Sequence, residues 1–283
     1  MNFTRKKDFF VGVDSDGTAF DSMTIKHTHA FIPAMVRVWG LEPVAEDVVR
    51  TAERINLYSP ERGINRFPGL VRTFDELRAE LGERFPVKEY EALRRFTDSG
   101  APMSNRGLEA YMAKHPAPVL EQTLRWSRTA DQRFAQASEN LPPFPGVGPA
   151  LRSMGETADL MVVSAASCAG LMGDWGRTGL LDTVDFVAGQ EFGGKDAQLA
   201  LALSAGYDRD KCLMIGDGLG DWQAAREAGI CFYPVVPSRE AHCWKSLMDR
   251  YYPMFLAGEY AGGAQDALTA EFEKFLEQGG SVK

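Results

Sequence analysis

The chain has 283 residues, 45% of them hydrophobic and 25% charged, with a formal net charge of -8 at pH 7. This is the composition of a soluble globular protein with room for one large domain or two modest ones, and its acidic balance argues against a general nucleic-acid surface, which needs a clustered basic face to displace counterions. No stretch approaches the roughly 18 uninterrupted apolar residues of a membrane span, so neither nucleic acid nor membrane is expected as a partner.

The opening Met1-Asn2-Phe3-Thr4-Arg5-Lys6-Lys7 is basic, but the apolar run behind it is too short for a signal peptide. A cytoplasmic location is therefore expected. That run, Phe9 to Val13, ends abruptly in Asp14-Ser15-Asp16-Gly17-Thr18. It reads as a buried strand delivering two acids to the rim of a sheet, although a lone Asp-Gly is also an ordinary turn. A helical region follows from about Met23 to about Asn140, with apolar residues at three- and four-residue spacing in Thr28 to Trp39, Ala45 to Ile55, Thr73 to Leu81, Val87 to Thr97, Leu108 to Lys114 and Pro118 to Ala137. Within it, the loop Arg62 to Pro68 carries Arg62, Asn65 and Arg66, which suit an anionic or hydroxylated substrate as well as they suit plain solvation.

The proline and glycine cluster from Leu141 to Gly148 cannot continue a helix and marks a boundary. Beyond it, helix and strand alternate: strands at Asp159 to Val163, Val184 to Ala188, Cys212 to Ile215 and Ile230 to Val236, with helices near Pro149 to Thr157, Gly170 to Thr178, Asp196 to Ala205 and Asp221 to Ala228. Such alternation implies βαβ units and a doubly wound parallel sheet to which the first strand also belongs. The tail from Ser238 reads as helical with a break near Gly258 to Gly263, and Gln278 to Lys283 are expected to fray. The four cysteines, Cys168, Cys212, Cys231 and Cys243, form no Cys-x-x-Cys pair and read as core thiols.

Polar groups suited to one task stand at the strand ends: Asp14 and Asp16 after the first, Ser164 after Val163, Lys195 after Gly193-Gly194, and Asp217 and Asp221 after Ile215. In a parallel sheet these ends face one edge, so residues distant in sequence converge there. Carboxylates with no thiolate or imidazole companion suit a hard cation, and Mg2+ is the usual one where phosphate is handled. The glycines at 216, 218 and 220 are expected to let the backbone approach that cation.

Here the sequence resembles the haloacid dehalogenase (HAD) superfamily. Asp14 to Thr18 resembles the family's Asp-x-Asp-Gly-Thr, Ser164 its second motif, Lys195 its lysine, and Gly216 to Gly229 its acidic loop and following helix. The usual Lys-Pro sequel is replaced by Lys195-Asp196, and the helical insertion is similar to a C1-type cap without a subfamily signature. The resemblance implies a Rossmann-like α/β core over residues 1–22 and 141–283 with an all-helical cap over 23–140. It implies Asp14 as nucleophile, Asp16 as general acid/base, and Mg2+ held by Asp14, the backbone carbonyl of Asp16 and Asp217, directly or through water, with Asp221 ligating the metal or its water or orienting Lys195. Ser164, Lys195 and the Ala165 amide would bind the phosphoryl group of a small phosphorylated metabolite. A phosphatase is expected, acting as a monomer or homodimer; a β-phosphoglucomutase-like mutase or a non-catalytic phospho-ligand sensor would keep the same motifs.

Overall fold

The structure, a computed structural model, describes residues 3–139 and 141–280. Asn140, where the helical region was expected to end, and Ser281 to Lys283 of the tail expected to fray lie outside the described residues. Five strands, β1 (Phe9–Val13), β2 (Ala158–Val163), β3 (Phe186–Ala188), β4 (Cys212–Gly216) and β5 (Cys231–Pro234), form one parallel sheet in the order β3-β2-β1-β4-β5. β2 and β4 are buried along their whole length. A parallel sheet covered on both faces needs such runs rather than alternation.

The chain divides into two compact units, Met1–Ser22 with Leu141–Lys283, and Met23–Asn140. Each has an apolar core of its own, one built around Trp39, Phe67, Phe74, Phe96 and Trp126, the other around the sheet residues with Trp175 and Trp244. The helical unit takes up α1 (Ser22–Ile25) after its first residue, then α2 (Ile32–Trp39), α3 (Ala45–Tyr58), α4 (Arg66–Leu81), α5 (Glu91–Thr97), α6 (Asn105–Met112) and α7 (Pro118–Ala137). A π-helical turn, Lys26–Phe31, joins α1 to α2. The helices of the sheet unit are α8 (Val147–Met154), α9 (Cys168–Arg177), α10 (Lys195–Leu203), α11 (Leu219–Ala228), α12 (Glu240–Ser246), α13 (Tyr252–Leu256) and α14 (Gly263–Glu277).

α7 covers the span that apolar spacing gives it, with Pro118 at its first turn, where no backbone donor is needed. α4 differs: it starts at Arg66, seven residues before the expected Thr73. Asn65 caps it by accepting from Phe67 N at 3.1 Å. Pro68 then falls in the first turn, which tolerates it, rather than in a loop. Among the described residues no helix is long and apolar enough to cross a membrane.

Candidate active site

β1 lies at the centre of the sheet, and the strand order reverses between it and β4, because the chain runs outward through β2 and β3 before returning to β1's other side. Open α/β sheets bind ligands at the carboxyl ends of strands flanking such a point. The register sets what meets there: Val13 pairs with Val162 on one side and Ile215 on the other. One residue further, Asp14 N donates to Ile215 O at 3.0 Å, so Asp14 leaves the sheet level with Val163 and Gly216, and Ser164 and Asp217 follow one residue later. Asp14, Ser164, Asp217 and Asp221 are all buried.

Lys195, the first residue of α10, points its Nζ at this carboxylate cluster, 3.1 Å from Asp14 Oδ1 and hydrogen-bonded to Asp221 Oδ1. Asp217 is held by Thr18, whose hydroxyl donates to Oδ1 at 2.8 Å. Asp221 also accepts from Gly218 N at 3.1 Å, capping α11 while it serves the cluster. Ser164 keeps its loop in shape by accepting from Ala166 N at 3.2 Å. Ala165 is exposed beside it.

A structure from Haemophilus somnus 129pt, described as a predicted phosphoglycolate phosphatase, superposes with a TM-score of 0.55 at 15% identity, covering 82% of this chain and 87% of that one. The fold is that of the haloacid dehalogenase-like hydrolases. A haloacid dehalogenase-like family protein from Streptococcus pneumoniae superposes at 0.43 with 16% identity, covering 84% and 90% of the two chains. L-2-haloacid dehalogenase from Xanthobacter autotrophicus superposes at 0.42 with 19% identity, covering 87% and 86%. No family model matches the sequence, and no curated protein does.

The charge in this HAD-like core decides whether a divalent cation fits it. One carboxylate oxygen each from Asp14, Asp217 and Asp221 lie within 4.8 Å of one another. One ammonium faces three buried carboxylates. Burial pushes the Asp14 carboxyl well above the usual carboxylate range; Lys195 pulls it back, and Asp221, Asp217 and Asp16 push it up again. Asp221 is raised as well, by burial first. Burial alone would lower the Lys195 ammonium, but Asp14 and Asp221 outweigh it and keep the group charged. The cluster is short of positive charge and offers only oxygen donors, and a hard divalent cation such as Mg2+ fits both conditions.

The Asp16 carboxyl accepts from Ser22 Oγ and is not one of the three grouped carboxylates; the ligand expected of Asp16 is its backbone carbonyl. At Gly216 a Cβ would collide with the carboxyl of Asp221, so this glycine makes room for that side chain, and Gly220 has open space around its Cβ position.

Arg62, Asn65 and Arg66 of the helical unit are all engaged within it. Arg62 donates to Leu57 O at 2.8 Å, and Asn65 both caps α4 and donates to Met103 O at 3.0 Å. Arg66 lies over the Phe31 ring at 4.5 Å and binds Ser127 Oγ at 2.9 Å and Asp131 at 2.6 Å. Sequence reasoning missed two tryptophans that brace the motif: Trp175 Nε1 donates to Ser15 Oγ at 3.0 Å and Trp244 Nε1 to Thr18 O at 2.9 Å. Nothing local marks them, because both come from helices far away in sequence.

Proposed function

We propose that the chain is a HAD-superfamily phosphohydrolase that cleaves a small phosphomonoester with Mg2+ through a phosphorylated Asp14. The observation that carries this reading is the buried Asp14 at the end of the central strand, ion-paired to Lys195 within a cluster of carboxylates. Asp14, Asp217 and Asp221, with the Asp16 carbonyl, would hold the cation. When bound, it neutralises charge between the carboxylates and the phosphoryl oxygens.

Asp14 supplies a carboxylate oxygen that bonds to phosphorus as the ester P–O bond breaks, splitting one difficult displacement into two easier ones. Asp16 gives its proton to the departing alkoxide. It then takes a proton from the water that attacks the phosphoryl-aspartate, so inorganic phosphate leaves and both acids return to their starting states. The bond from Ser22 Oγ fixes the Asp16 carboxyl for this role. Lys195, the Ser164 hydroxyl and the Ala165 amide hold the phosphoryl oxygens. The second acid favours phosphate esters over carbon–halogen bonds, whose cleavage leaves a halide that needs no proton.

The test is a broad panel of phosphorylated metabolites assayed with Mg2+ against wild type and Asp14→Asn. Phosphate release by wild type, abolished in the variant, is the expected outcome. A folded wild type that binds Mg2+ and releases no phosphate from any member of the panel sinks the reading.

A further inference from the structure

The mechanism leaves unused one fully buried polar side chain beside the phosphoryl-binding groups. Gln198 stands three residues after Lys195 in α10, so both project from one face of that helix. Its Nε2 lies 3.0 Å from each of three backbone carbonyls: Ser164 at the end of β2, Gly189 just past β3, and Gly193 in the turn before α10. Two amide protons are shared among three oxygens, which fixes the orientation of the amide, because the reverse one would set Oε1 against all three.

Oε1 is buried with no hydrogen-bond partner among the described residues. An amide oxygen left unbonded in the interior is unfavourable, and an apolar side chain of similar size would avoid that loss. The position therefore uses Gln198 for its donor end. The three segments it joins are packed together elsewhere too. Ser164 N donates to Ala188 O at 3.1 Å and Gln190 N to Ala166 O at 2.8 Å. A Cβ on Gly189 would stand 2.6 Å from both Ala166 O and Cys168 N.

We propose that Gln198 is a positioning residue that ties the loops after β2 and β3 to the start of α10, and so sets Ser164 and Lys195 at their spacing from Asp14. Its catalytic consequence rests on the reading of Ser164 and Lys195 as phosphoryl-binding groups.

The test uses the full chain with Mg2+ and compares Gln198→Met, which keeps volume and loses the donors, with Gln198→Asn, a milder change that keeps the amide and shortens its reach. Gln198→Met is expected to lower kcat/KM about tenfold to a hundredfold, the scale of a small misplacement of binding groups. Binding of inorganic phosphate, read by calorimetry, should weaken about tenfold, and the loss should largely vanish in a Ser164→Ala background, because coupled residues are not additive. Hydrogen exchange should quicken at the amides of Ala166 and Gln190 and stay at wild-type rates in β1. Gln198→Asn should fall between, and it decides the matter if the Met variant does not fold.

Wild-type phosphate affinity and wild-type exchange at those amides in a folded variant overturn the proposal, even if the melting temperature drops. If wild type itself neither hydrolyses esters nor binds phosphate, the proposed function fails. The exchange rates then still judge the clamp: faster local exchange supports it and unchanged exchange overturns it.

Discussion

Asp14, the proposed nucleophile, is held in a place that works against the fold. Burial and three neighbouring acids disfavour its charge, and Lys195 offsets only part of that. Replacing it by a neutral residue of the same shape removes the repulsion, so Asp14→Asn should abolish turnover yet raise the stability of the cation-free protein by roughly 1 kcal/mol, the usual exchange of stability for activity at a strained site. Denaturant unfolding in a chelator checks this; a variant less stable than wild type there contradicts the charge argument. The same surplus predicts that Mg2+ raises the melting temperature, because a ligand of the folded state stabilises by about 2.7 kcal/mol at a hundred times its Kd. Asp217→Asn should lose most of that rise. An equal rise in wild type and variant would remove Asp217 from the cation's ligands.

β4 and α11 meet through Gly216, and their close approach brings Asp221 to the cluster. With Ala at 216, the added methyl would collide with the Asp221 carboxyl. The carboxyl is also tied to Gly218 N and Lys195, so it cannot swing away without loss. Gly216→Ala should therefore cost roughly 1–3 kcal/mol of stability by overpacking, with a higher Mg2+ concentration needed for half-maximal activity. Urea titrations and a Mg2+ titration of the rate measure the two effects. Loss of stability with an unchanged Mg2+ requirement would mean that Asp221 only caps α11. In the helical unit, the charge of Arg66 is met by Asp131 and the Phe31 ring, both distant in sequence.

The N-terminal segment is pinned to the edge of the sheet opposite the site. The carboxylate of Asp159, fully buried, accepts from the backbone N–H groups of Lys6 and Lys7 at 2.7 and 2.9 Å, and Lys6 Nζ binds Asp185 at 2.7 Å. Burial alone would raise the Asp185 carboxyl, but the Lys6 ammonium and the Leu160 N–H more than offset it and hold the group below its ordinary value. A carboxylate with a depressed folded pKa stabilises the fold above its unfolded pKa, about 3.9, and that contribution is lost as pH falls through the lower folded value. The stability difference between wild type and Asp185→Asn should thus be full near neutral pH and shrink below about pH 4. Denaturant midpoints across that range test it, and a difference that grows on acidification refutes it.

Much of this molecule is legible in the chain because it depends on neighbours in sequence. Apolar periodicity marks the helical insertion and all five strands. The acids at the strand ends needed only the rule that parallel strands deliver their carboxyl ends to one edge to be gathered into one site. The start of α4 is less legible, because a side-chain cap at Asn65 outweighs the loop signal of Pro68. The tertiary structure decided what depends on residues far apart in sequence: that Asp16 turns to Ser22 and leaves the cluster to Asp14, Asp217 and Asp221, that Trp175 and Trp244 brace the first motif, that Gly216 exists for Asp221, and that Gln198 gathers three carbonyls. The physical reason is that sequence spacing carries direction along a strand or helix, whereas hydrogen bonds between elements depend on which side chains the packed core brings within 3 Å of one another.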